Sequence, residues 1–516
     1  MKLLFVSSRS AAVLLDENGY YEMDQAARLS LNGEEIGEER RSVCSLFGLW
    51  PDTAYVLRVE KRGETAEVSF RTEKEACTLN VKRFGARGDG EADDTAPLQA
   101  AILCCPEGGR VLIPKGNYVT GPLFLKSHVT VEFQRGAALL LTGDRSRFPI
   151  LPGVTYPTDE DGEETLLGSW EGNPLDCFAG ALTGIEVEDV RLIGEGVIDG
   201  RAGETGWWKN PKGKDGAYRG RLFFLKDCRN VTVQGLTFRN SPSWNIHPMF
   251  SEHLSFYNIA VEAPAVSPNT DGFDPESCRD VKLLGARFSV GDDCIAIKSG
   301  KIYMGSKYRT PCRDLEIAYC AMLDGHGGVT VGSEMAGGVK NVRVHHCFMR
   351  GNDRALRIKT RRGRGKNGVI DGIVFSHVRM ENVKAPLVVN CLYFCDPDGH
   401  TPWVQSREKQ AVDDTTPTVG SIVFEDVDAV GCRACAAYIL GLPERPVKEI
   451  VLRNSRFAFT PDAEPMAPAM AEGVEKCAGR GVIAYFAQSI RLENTRMEGL
   501  QGPETEFHGC GMEETL

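Results

Sequence analysis

The chain has 516 residues, of which 42% are hydrophobic and 25% are charged, and its formal net charge is −11. This composition excludes a disordered or fibrous protein and provides apolar material for one long repetitive domain or two compact ones. The acidic balance disfavours non-specific binding to nucleic acid or to an anionic membrane.

The first residues and the cysteines bear on the compartment. "MKLLFVSSRS" has a short apolar start that polar residues interrupt, unlike a signal peptide, and no apolar run reaches the roughly 18 residues of a membrane helix. The 17 cysteines, an odd number, predict buried free thiols in a reducing compartment. The lone C-x-x-C at Cys432 to Cys435 lacks a partner pair and predicts neither zinc nor redox chemistry. We therefore expect a cytoplasmic protein.

Residues 1–75 have the pattern of a small antiparallel β-sandwich. Segments such as "AYVLRVEKRG" and "AEVSFRT" alternate apolar and polar residues and are separated by turn residues. "LWPDTAYVLRVEKRGETAEVSFRT" resembles the end of a fibronectin type III module, and no chemistry-bearing residues cluster there. We predict a fibronectin type III-like module over residues 1–75, with a scaffolding role, and a second domain over residues 76–516.

The segment after the module begins a different architecture. "GARGDG" is Gly-rich but lacks the Lys-Ser/Thr of a phosphate loop, whereas "TAPLQAAILCC" predicts a helix with Asp94 or Thr95 at its N-cap. This opening resembles that of right-handed β-helix proteins of the pectin-degrading superfamily, in which such a helix caps the solenoid.

The rest of the chain repeats one unit. Alternating strands such as "NVTVQGLTFRNS", "RDVKLLGARFSV" and "KNVRVHHCFMRG" follow turn residues and recur at the spacing of a solenoid. One such unit cannot bury its apolar side alone, whereas stacked coils form a continuous core. We predict an all-β chain in which residues 76–516 form a right-handed parallel β-helix; a β-propeller, with four strands per blade, fits less well.

Polar motifs stand on successive repeats of this predicted solenoid. Equivalent positions of neighbouring coils lie about 4.8 Å apart, so the motifs predict a ladder of polar side chains on one face. The candidates are Asn269 and Asp271, then Asp292 and Asp293, then His326, then Arg357 and Lys359.

The motifs Asn-Thr-Asp, Gly-Asp-Asp, Gly-His-Gly and Arg-Ile-Lys occur in the order and approximate spacing of glycoside hydrolase family 28, the polygalacturonases. The chain resembles this family from about residue 80 to 460. "GVIDGRAGETGWW" and "RNSPSWNIHP" also look like the family, and "LVVNCLYF" places Tyr393 where the family has a substrate-contacting tyrosine. The resemblance implies a galacturonate-containing oligo- or polysaccharide as substrate, Asn269 as a further substrate-binding residue, and no cofactor or metal.

The residue types suit glycoside hydrolysis independently. One carboxyl must protonate the leaving oxygen while a carboxylate activates water, and crowding supplies both states because like charges raise the pKa of one member. The inverting mechanism of the family implies Asp292 as the general acid and Asp271 and Asp293 as the bases, in a coupled set. We expect His326 to hydrogen-bond within this set and to keep the acid protonated.

Arg357 and Lys359 are two residues apart and share one face of a strand. A guanidinium and an ammonium on one face suit the carboxylate of a uronic acid. The following basic run lacks interleaved aromatic residues, which disfavours nucleic acid as a partner, and we expect it to help hold a polyanionic sugar chain. The run consists of Arg361, Arg362, Arg364 and Lys366.

Two long insertions, residues 155–174 and 394–417, have the composition of loops over the groove. If they block one end of it, the enzyme removes residues from chain ends, as is common for relatives with a fibronectin-like module, so we expect exo action. Aromatic residues could stack on sugars, but loop packing is the better expectation for Trp207, Trp208 and Trp244.

Other functions remain open at this point. Within the family, a rhamnogalacturonan hydrolase or another pectin-backbone hydrolase is the nearest alternative. A calcium-dependent pectate lyase and a non-catalytic carbohydrate-binding β-helix are less favoured, because neither requires the ordered His and Arg-Ile-Lys motifs. The sequence sets neither the tolerance of methyl esters nor the oligomeric state.

Overall fold

The computed structural model describes residues 1–155 and 164–511, and its first seven strands form the predicted small sandwich. Buried and exposed side chains alternate along the strand Ala54–Lys61, because successive residues of a strand face opposite sides. Residues from both sheets, among them Val13 and Leu57, share one core. One sheet contains Lys2–Val6, Ser10–Leu14 and Val43–Phe47, and the other contains Glu22–Leu31, Glu34–Arg41, Ala54–Lys61 and Glu64–Arg71.

Beyond this module the chain winds into the predicted right-handed parallel β-helix. Strands of successive coils pair in parallel, so that Val190 lies beside Val231 and Val231 beside Leu254. All three side chains are fully buried, and each coil therefore covers the apolar side of the one before it. The all-β fold class is confirmed.

A large sheet of 24 strands takes two strands from most coils. Its strands, in chain order, are Thr78–Asn80, Asp89–Asp93, Arg110–Ile113, Gly116–Thr120, Thr130–Phe133, Ala137–Leu141, Glu188–Gly194, Val197–Asp199, Arg229–Gln234, Thr237–Arg239, Glu252–Tyr257, Ala260–Glu262, Arg279–Leu284, Arg287–Ser289, Cys312–Ala318, Ala321–Leu323, Val339–Arg350, Val369–Glu381, Thr418–Val419, Ser421–Cys432, Val447–Arg453, Arg456–Phe459, Ala487–Glu493 and Arg496–Glu498.

The remaining parallel strands form a second row, which we call the site sheet. It consists of two blocks that are joined through single bridges at Phe273 and Glu276. The first block is Leu123–Phe124, Leu182–Ile185, Phe223–Lys226 and Ile246–Met249; the second is Ile295–Ile297, Gly327–Val331, Arg354–Lys359, Ala385–Asn390, Cys435–Leu440, Arg480–Tyr485 and Thr505–His508. A separate antiparallel pair is Ile150–Leu151 with Cys177–Phe178.

Helices are short, and the predicted one, Thr95–Cys104, packs Leu98 and Ile102 against the first coils. Asp94 occupies its N-cap position, but the Asp94 carboxylate accepts from backbone N–H groups of the preceding loop. The other helices are Ile302–Lys307 and Pro402–Gln405, with 3₁₀ turns at Val81–Phe84, Arg145–Arg147 and Pro397–His400. Among the described residues, no helix is long and apolar enough to cross a membrane. The 17 cysteines are all free, and most are buried.

The module packs on the large sheet. Val43 shares an apolar cluster with Tyr257 and Leu284 of two successive coils. Beside it, the fully buried Gln234 accepts a hydrogen bond from Ser10 Oγ at 2.6 Å. A buried polar group without a partner is costly, so this hydrogen bond fixes where the module sits on the coils.

Candidate active site

The turn that carries Asn269 and Asp271 is tied to the next coil. The Thr270 hydroxyl lies 2.5 Å from Ser267 Oγ and accepts from the Gly291 N–H at 3.2 Å. Asn269 has a left-handed backbone with φ of 55°, a conformation that asparagine adopts more readily than most residues. The turn therefore holds Asp271 beside the acidic pair of the following coil.

Close approaches explain the glycines of the acidic and histidine motifs. A Cβ atom at Gly291 would lie 2.4 Å from the carbonyl oxygen of Ser267, and one at Gly327 would lie 2.6 Å from Asp293 Oδ1. Gly325 has a φ of 88°, which favours glycine. Any larger residue at Gly327 would displace the Asp293 carboxylate.

The three aspartates meet at the centre of the site. Oxygens of Asp271, Asp292 and Asp293 all lie within 4.8 Å of one another. Burial, assisted by the charge of Asp292, raises the pKa of Asp271 to about 8. Burial would also raise the pKa of Asp293, but the charges of Lys359 and Arg357 outweigh it and hold that pKa below its usual range. The pKa is therefore raised for one member of the cluster, Asp271, chiefly by burial and to a lesser degree by the charge of Asp292.

Exposure separates the three carboxyl groups. The side chain of Asp292 is 25% exposed, whereas those of Asp271 and Asp293 are 6% and 1% exposed. Asp292 is therefore the member that a bound sugar can reach most directly.

His326 lies beside Asp292, as expected, with Nδ1 3.3 Å from Asp292 Oδ1. This hydrogen bond raises the pKa of His326 although its partial burial opposes the shift. A raised histidine pKa favours an imidazolium that donates to the Asp292 carboxylate. His326 therefore contacts the most exposed carboxyl of the cluster, and its role in keeping the acid protonated stays a prediction.

Arg357 and Lys359 project from one face of their strand, as predicted, and both contact Asp293. Lys359 Nζ donates to Asp293 Oδ2 at 2.9 Å, and Arg357 Nη1 donates to Oδ1 at 3.4 Å. The Tyr393 ring lies 5.6 Å from Arg357 Cζ and 5.5 Å from Lys359 Nζ. Three of the four predicted substrate-binding residues thus lie together, and the two cations already neutralise Asp293.

Asn269 is held by a buried arginine. Its side-chain oxygen accepts a hydrogen bond from Arg219 Nη2 at 2.7 Å, and Arg219 also donates to the carbonyl oxygens of Pro242 and Pro268. The Asn269 oxygen is therefore engaged, and substrate binding by Asn269 stays a prediction.

The prediction that the basic run holds a sugar chain is wrong for Arg361, Arg362 and Arg364. Their exposed fractions are only 1–3%. Arg362 forms a two-pronged ion pair with Glu444, at 2.7 and 2.9 Å, and Arg361 pairs with Asp396 at 3.1 Å. Sequence showed the density of positive charge but not the carboxylates that the fold places against it.

The same arginines anchor the loop of residues 394–417. Arg362 Nη1 donates to the carbonyl oxygens of Trp403, Val404 and Ser406 at 2.8–3.0 Å. Lys366, the exposed member of the run, pairs with Asp414 at 3.0 Å. The basic run therefore fixes an insertion instead of lining a groove.

Of the insertion 155–174, residues 156–163 lie outside the described residues. In its described part, Trp170 lies under Arg219 and Arg221, with ring-to-Cζ distances of 5.3 and 5.1 Å. Arg221 Nη2 also donates to the carbonyl oxygen of Ser169 at 3.1 Å. Buried arginines therefore anchor this insertion as well.

Three further tryptophans, Trp207, Trp208 and Trp244, pack within the protein, as expected. Trp207 is 1% exposed and Trp244 4% exposed, while Trp208 Nε1 donates to the carbonyl oxygen of Ser241 at 3.0 Å. The Trp244 ring faces the ammonium of Lys298 at 4.3 Å, so it belongs to the floor of the site.

Sequence reasoning missed the residues under Asp271. Lys298 Nζ lies 3.8 Å from Asp271, 3.5 Å from Asp274 and 3.3 Å from Glu334. The position of Lys298 could have been predicted from strand alternation. Lys298 follows the buried Ile297 and so points outward beside the acidic pair. Nothing comparable in the sequence placed Glu334 there, since it follows its strand in a loop.

A segment from the last coils covers the basic side of the site, which sequence reasoning also missed. The Met470 carbonyl oxygen accepts from Asn390 Nδ2 at 2.9 Å, and Met470 Sδ lies 3.0 Å from Arg357 Nη2. This segment lies beyond the predicted motifs, and only the coil stacking brings it there.

The three aspartates are close enough to share a cation. The chain itself already supplies positive charge to this cluster, since Lys359 contacts Asp293 and Lys298 faces Asp271. Because these ammonium groups occupy the buried sides of the cluster, we retain the expectation that catalysis uses no metal.

The parallel β-helix and a groove of three carboxylates backed by buried cations together define a glycoside hydrolase. A family model described as Glycosyl hydrolases family 28 matches residues 110–454, and the chain belongs to this family. A second model, described as Rhamnogalacturonase A/epimerase, pectate lyase-like, matches residues 78–132, a range that holds none of the candidate site residues.

Similar proteins agree with this assignment. A probable polygalacturonase of Vitis vinifera is 30% identical over 387 residues, which cover 73% of this chain and 74% of the relative. The structure of an exopolygalacturonase from Thermotoga maritima superposes with a TM-score of 0.66 at 27% identity, covering 82% of this chain and 92% of that one. A family 28 exopolygalacturonase from Yersinia enterocolitica shares the fold over 100% of this chain and 98% of its own, with a TM-score of 0.74 at 16% identity.

We predict that Lys359→Met destabilises the protein by about 3 kcal/mol at pH 7, because it leaves Asp293 buried with a weakened counter-charge. The pKa of Asp293 is lower in the folded than in the unfolded chain. The ion pair therefore stabilises the fold above the ordinary carboxyl pKa of about 4, and its contribution declines as the pH falls through the folded-state pKa. Urea unfolding at pH 7 and at pH 3 measures both effects.

The matched control is the same substitution in an Asp293→Asn background. There the lysine has no buried carboxylate to neutralise, so its removal should cost much less free energy of unfolding. If Lys359→Met lowered the free energy of unfolding equally in both backgrounds, Lys359 would stabilise the fold by packing alone.

Proposed function

We propose that this enzyme hydrolyses α-1,4-galacturonosidic bonds in polygalacturonate or oligogalacturonides. The observation that carries the proposal is the contact of Asp293 with Arg357 and Lys359, over which the Tyr393 ring lies, since this places uronate-binding groups beside the reacting carboxylates. The names of similar proteins, polygalacturonases from plants and bacteria, support it. A carboxylated sugar next to the scissile bond would complete the charge balance of this groove.

In this proposal Asp292 protonates the leaving oxygen, because its carboxyl is the most exposed of the three. The proton held by Asp271 in the substrate-free protein lies within the cluster and can pass to Asp292. Asp271 and Asp293 are then ionised, hold a water molecule and take up its proton as the water attacks the anomeric carbon. One proton leaves with the departing oxygen and one returns to the cluster, so the site is restored.

We predict that Asp292→Asn lowers kcat by about 10²- to 10⁴-fold, the usual contribution of general acid catalysis, with little change in folding. Reducing-sugar release from polygalacturonate measures kcat, and circular dichroism verifies the fold. The matched control is Asp24→Asn on the exposed surface of the N-terminal module, which should retain full activity. Unchanged sugar release by Asp292→Asn would show that Asp292 is not the general acid, whereas no release by the unaltered protein would favour a carbohydrate-binding β-helix without catalysis.

Inversion is the outcome we propose for the anomeric carbon, as is general in the family. Carboxyl groups this close are more usual in retaining enzymes. Here, however, a third carboxylate allows two to hold the water while one donates the proton. Because the substrate linkage is α, the first product should be the β-anomer, and proton NMR during the first turnovers measures this. An α-anomer formed first would assign one aspartate as a nucleophile.

We further propose exo action. Buried arginines anchor both insertions near the site, and a rigid wall at one end of a groove limits binding to chain ends. Exo-acting names among similar proteins support this, including an exo-poly-alpha-D-galacturonosidase of Dickeya chrysanthemi that is 25% identical over 371 residues.

A defined series of oligogalacturonides tests the cleavage mode and the substrate. We expect one small product of constant length from every member, separated by anion-exchange chromatography, because a closed groove releases the same unit each time. A mixture of intermediate oligomers would indicate endo action. Rhamnogalacturonan serves as the comparison substrate, and faster cleavage of it would favour the alternative within the family.

A further inference from the structure

A buried charge cluster lies under Asp271. Lys298 stands at its centre, with Nζ 3.8 Å from Asp271 Oδ2, 3.5 Å from Asp274 Oδ1 and 3.3 Å from Glu334 Oε2. The side chain of Lys298 is 4% exposed, and the Trp244 ring packs 4.3 Å from its ammonium. The lysine is therefore held on several sides, and its ammonium group is withheld from bulk water.

The fold alone gives no reason for this arrangement. Taking a lysine and several carboxyls out of water costs more than packing apolar residues of similar size, and the aligned position two coils earlier holds the apolar Met249. Both side-chain oxygens of the fully buried Asp274 lack a hydrogen-bond partner among the described residues. Such unfavourable burial indicates a role in the reaction.

We propose that Lys298 is a positioning residue that stabilises the ionised form of Asp271 while Asp271 holds the attacking water, and that Glu334 tunes this effect. The inference rests on the proposed function, because it gives Asp271 the role of a base. Among the described residues, Lys298 is the cation that lies within 4 Å of the Asp271 carboxylate.

Besides Asp271, Lys298 has two acidic partners, Asp274 and Glu334, and their charges differ. Burial raises the pKa of Asp274 well above its usual range, so Asp274 is neutral and does not offset the charge of Lys298. Burial also acts on Glu334, but Lys298 and Lys301 outweigh it and lower its pKa, so Glu334 is ionised. Glu334 therefore offsets part of the field that Lys298 exerts on Asp271.

Other charged groups also face the cluster, and none of them is removed in the variants of Lys298 and Glu334. Asp292, Asp293 and Lys359 face Asp271; Arg221 faces Asp274; Lys301 and Arg364 face Glu334; and the buried pair of His247 and Glu276 faces Lys298 from below. A change in the pH profile on substituting Lys298 or Glu334 thus reports the removed charge.

The test compares pH profiles of kcat/KM on trigalacturonate for two oppositely charged positions. Lys298→Met removes a positive charge, which raises the pKa values of the coupled aspartates. Both limbs of the bell-shaped pH profile should therefore move to higher pH by about 1 unit or more. Glu334→Gln removes a negative charge and should move both limbs to lower pH. Lys298→Arg, which keeps the charge, should restore the position of the bell.

Asp274→Asn is the matched control, because a neutral carboxyl replaced by an amide changes no charge, and its profile should keep the original limbs. Opposite displacements of the two charge variants support the inference. Displacement in the same direction, or none in folded variants, overturns it. If Lys298→Met does not fold, Glu334→Gln alone decides by the direction of its shift. Failure of the proposed function is distinct: the unaltered enzyme would then release no sugar from trigalacturonate.

Discussion

The site depends on burying three carboxyl groups close together. This burial is possible only because lysine and arginine side chains of the same chain are buried beside them. Three carboxyl groups within 4.8 Å repel one another, and in a low-dielectric surrounding that repulsion is strong. Two effects relieve it: Asp271 keeps a proton, and Asp293 is neutralised by Lys359 and Arg357. The third carboxyl, on Asp292, stays partly in water. The three environments differ, and that difference separates the roles of chemically identical side chains.

Coil stacking supplies the geometry that this charge balance requires. Parallel pairing places Ile295 beside Val329 and Val329 beside Leu356 in the interior, so the outward residues of the same strands also align in rows. Side chains from four coils meet because neighbouring strands are only about 4.8 Å apart, a gap that polar side chains can span. Gly327 has no Cβ atom, and a Cβ atom at this position would displace the Asp293 carboxylate. The core thus determines the position of the charges.

Much of this could be predicted from sequence, and the failures have one physical cause. Strand alternation gives the coil repeat and the shared face of Arg357 and Lys359, and motif order gives the ladder, because these depend on local periodicity. Contacts between segments far apart in the chain are not encoded locally. Arg362 therefore looked like part of a solvated basic patch, although Glu444 meets it in the interior. For the same reason Glu334 and the covering segment at Met470 were not anticipated.

The buried arginines connect the core to the shape of the groove. Surface ion pairs contribute only about 0–1 kcal/mol. An insertion held by exposed contacts alone would therefore sample many positions and would play little part in substrate selection. Arg362 instead donates to three carbonyl oxygens of the insertion and is itself fixed by Glu444. Breaking such a pair leaves an uncompensated buried charge, so separating the insertion from the coils is costly. A groove wall that is fixed in this way is formed before substrate arrives, so little ordering entropy is lost when the sugar chain binds.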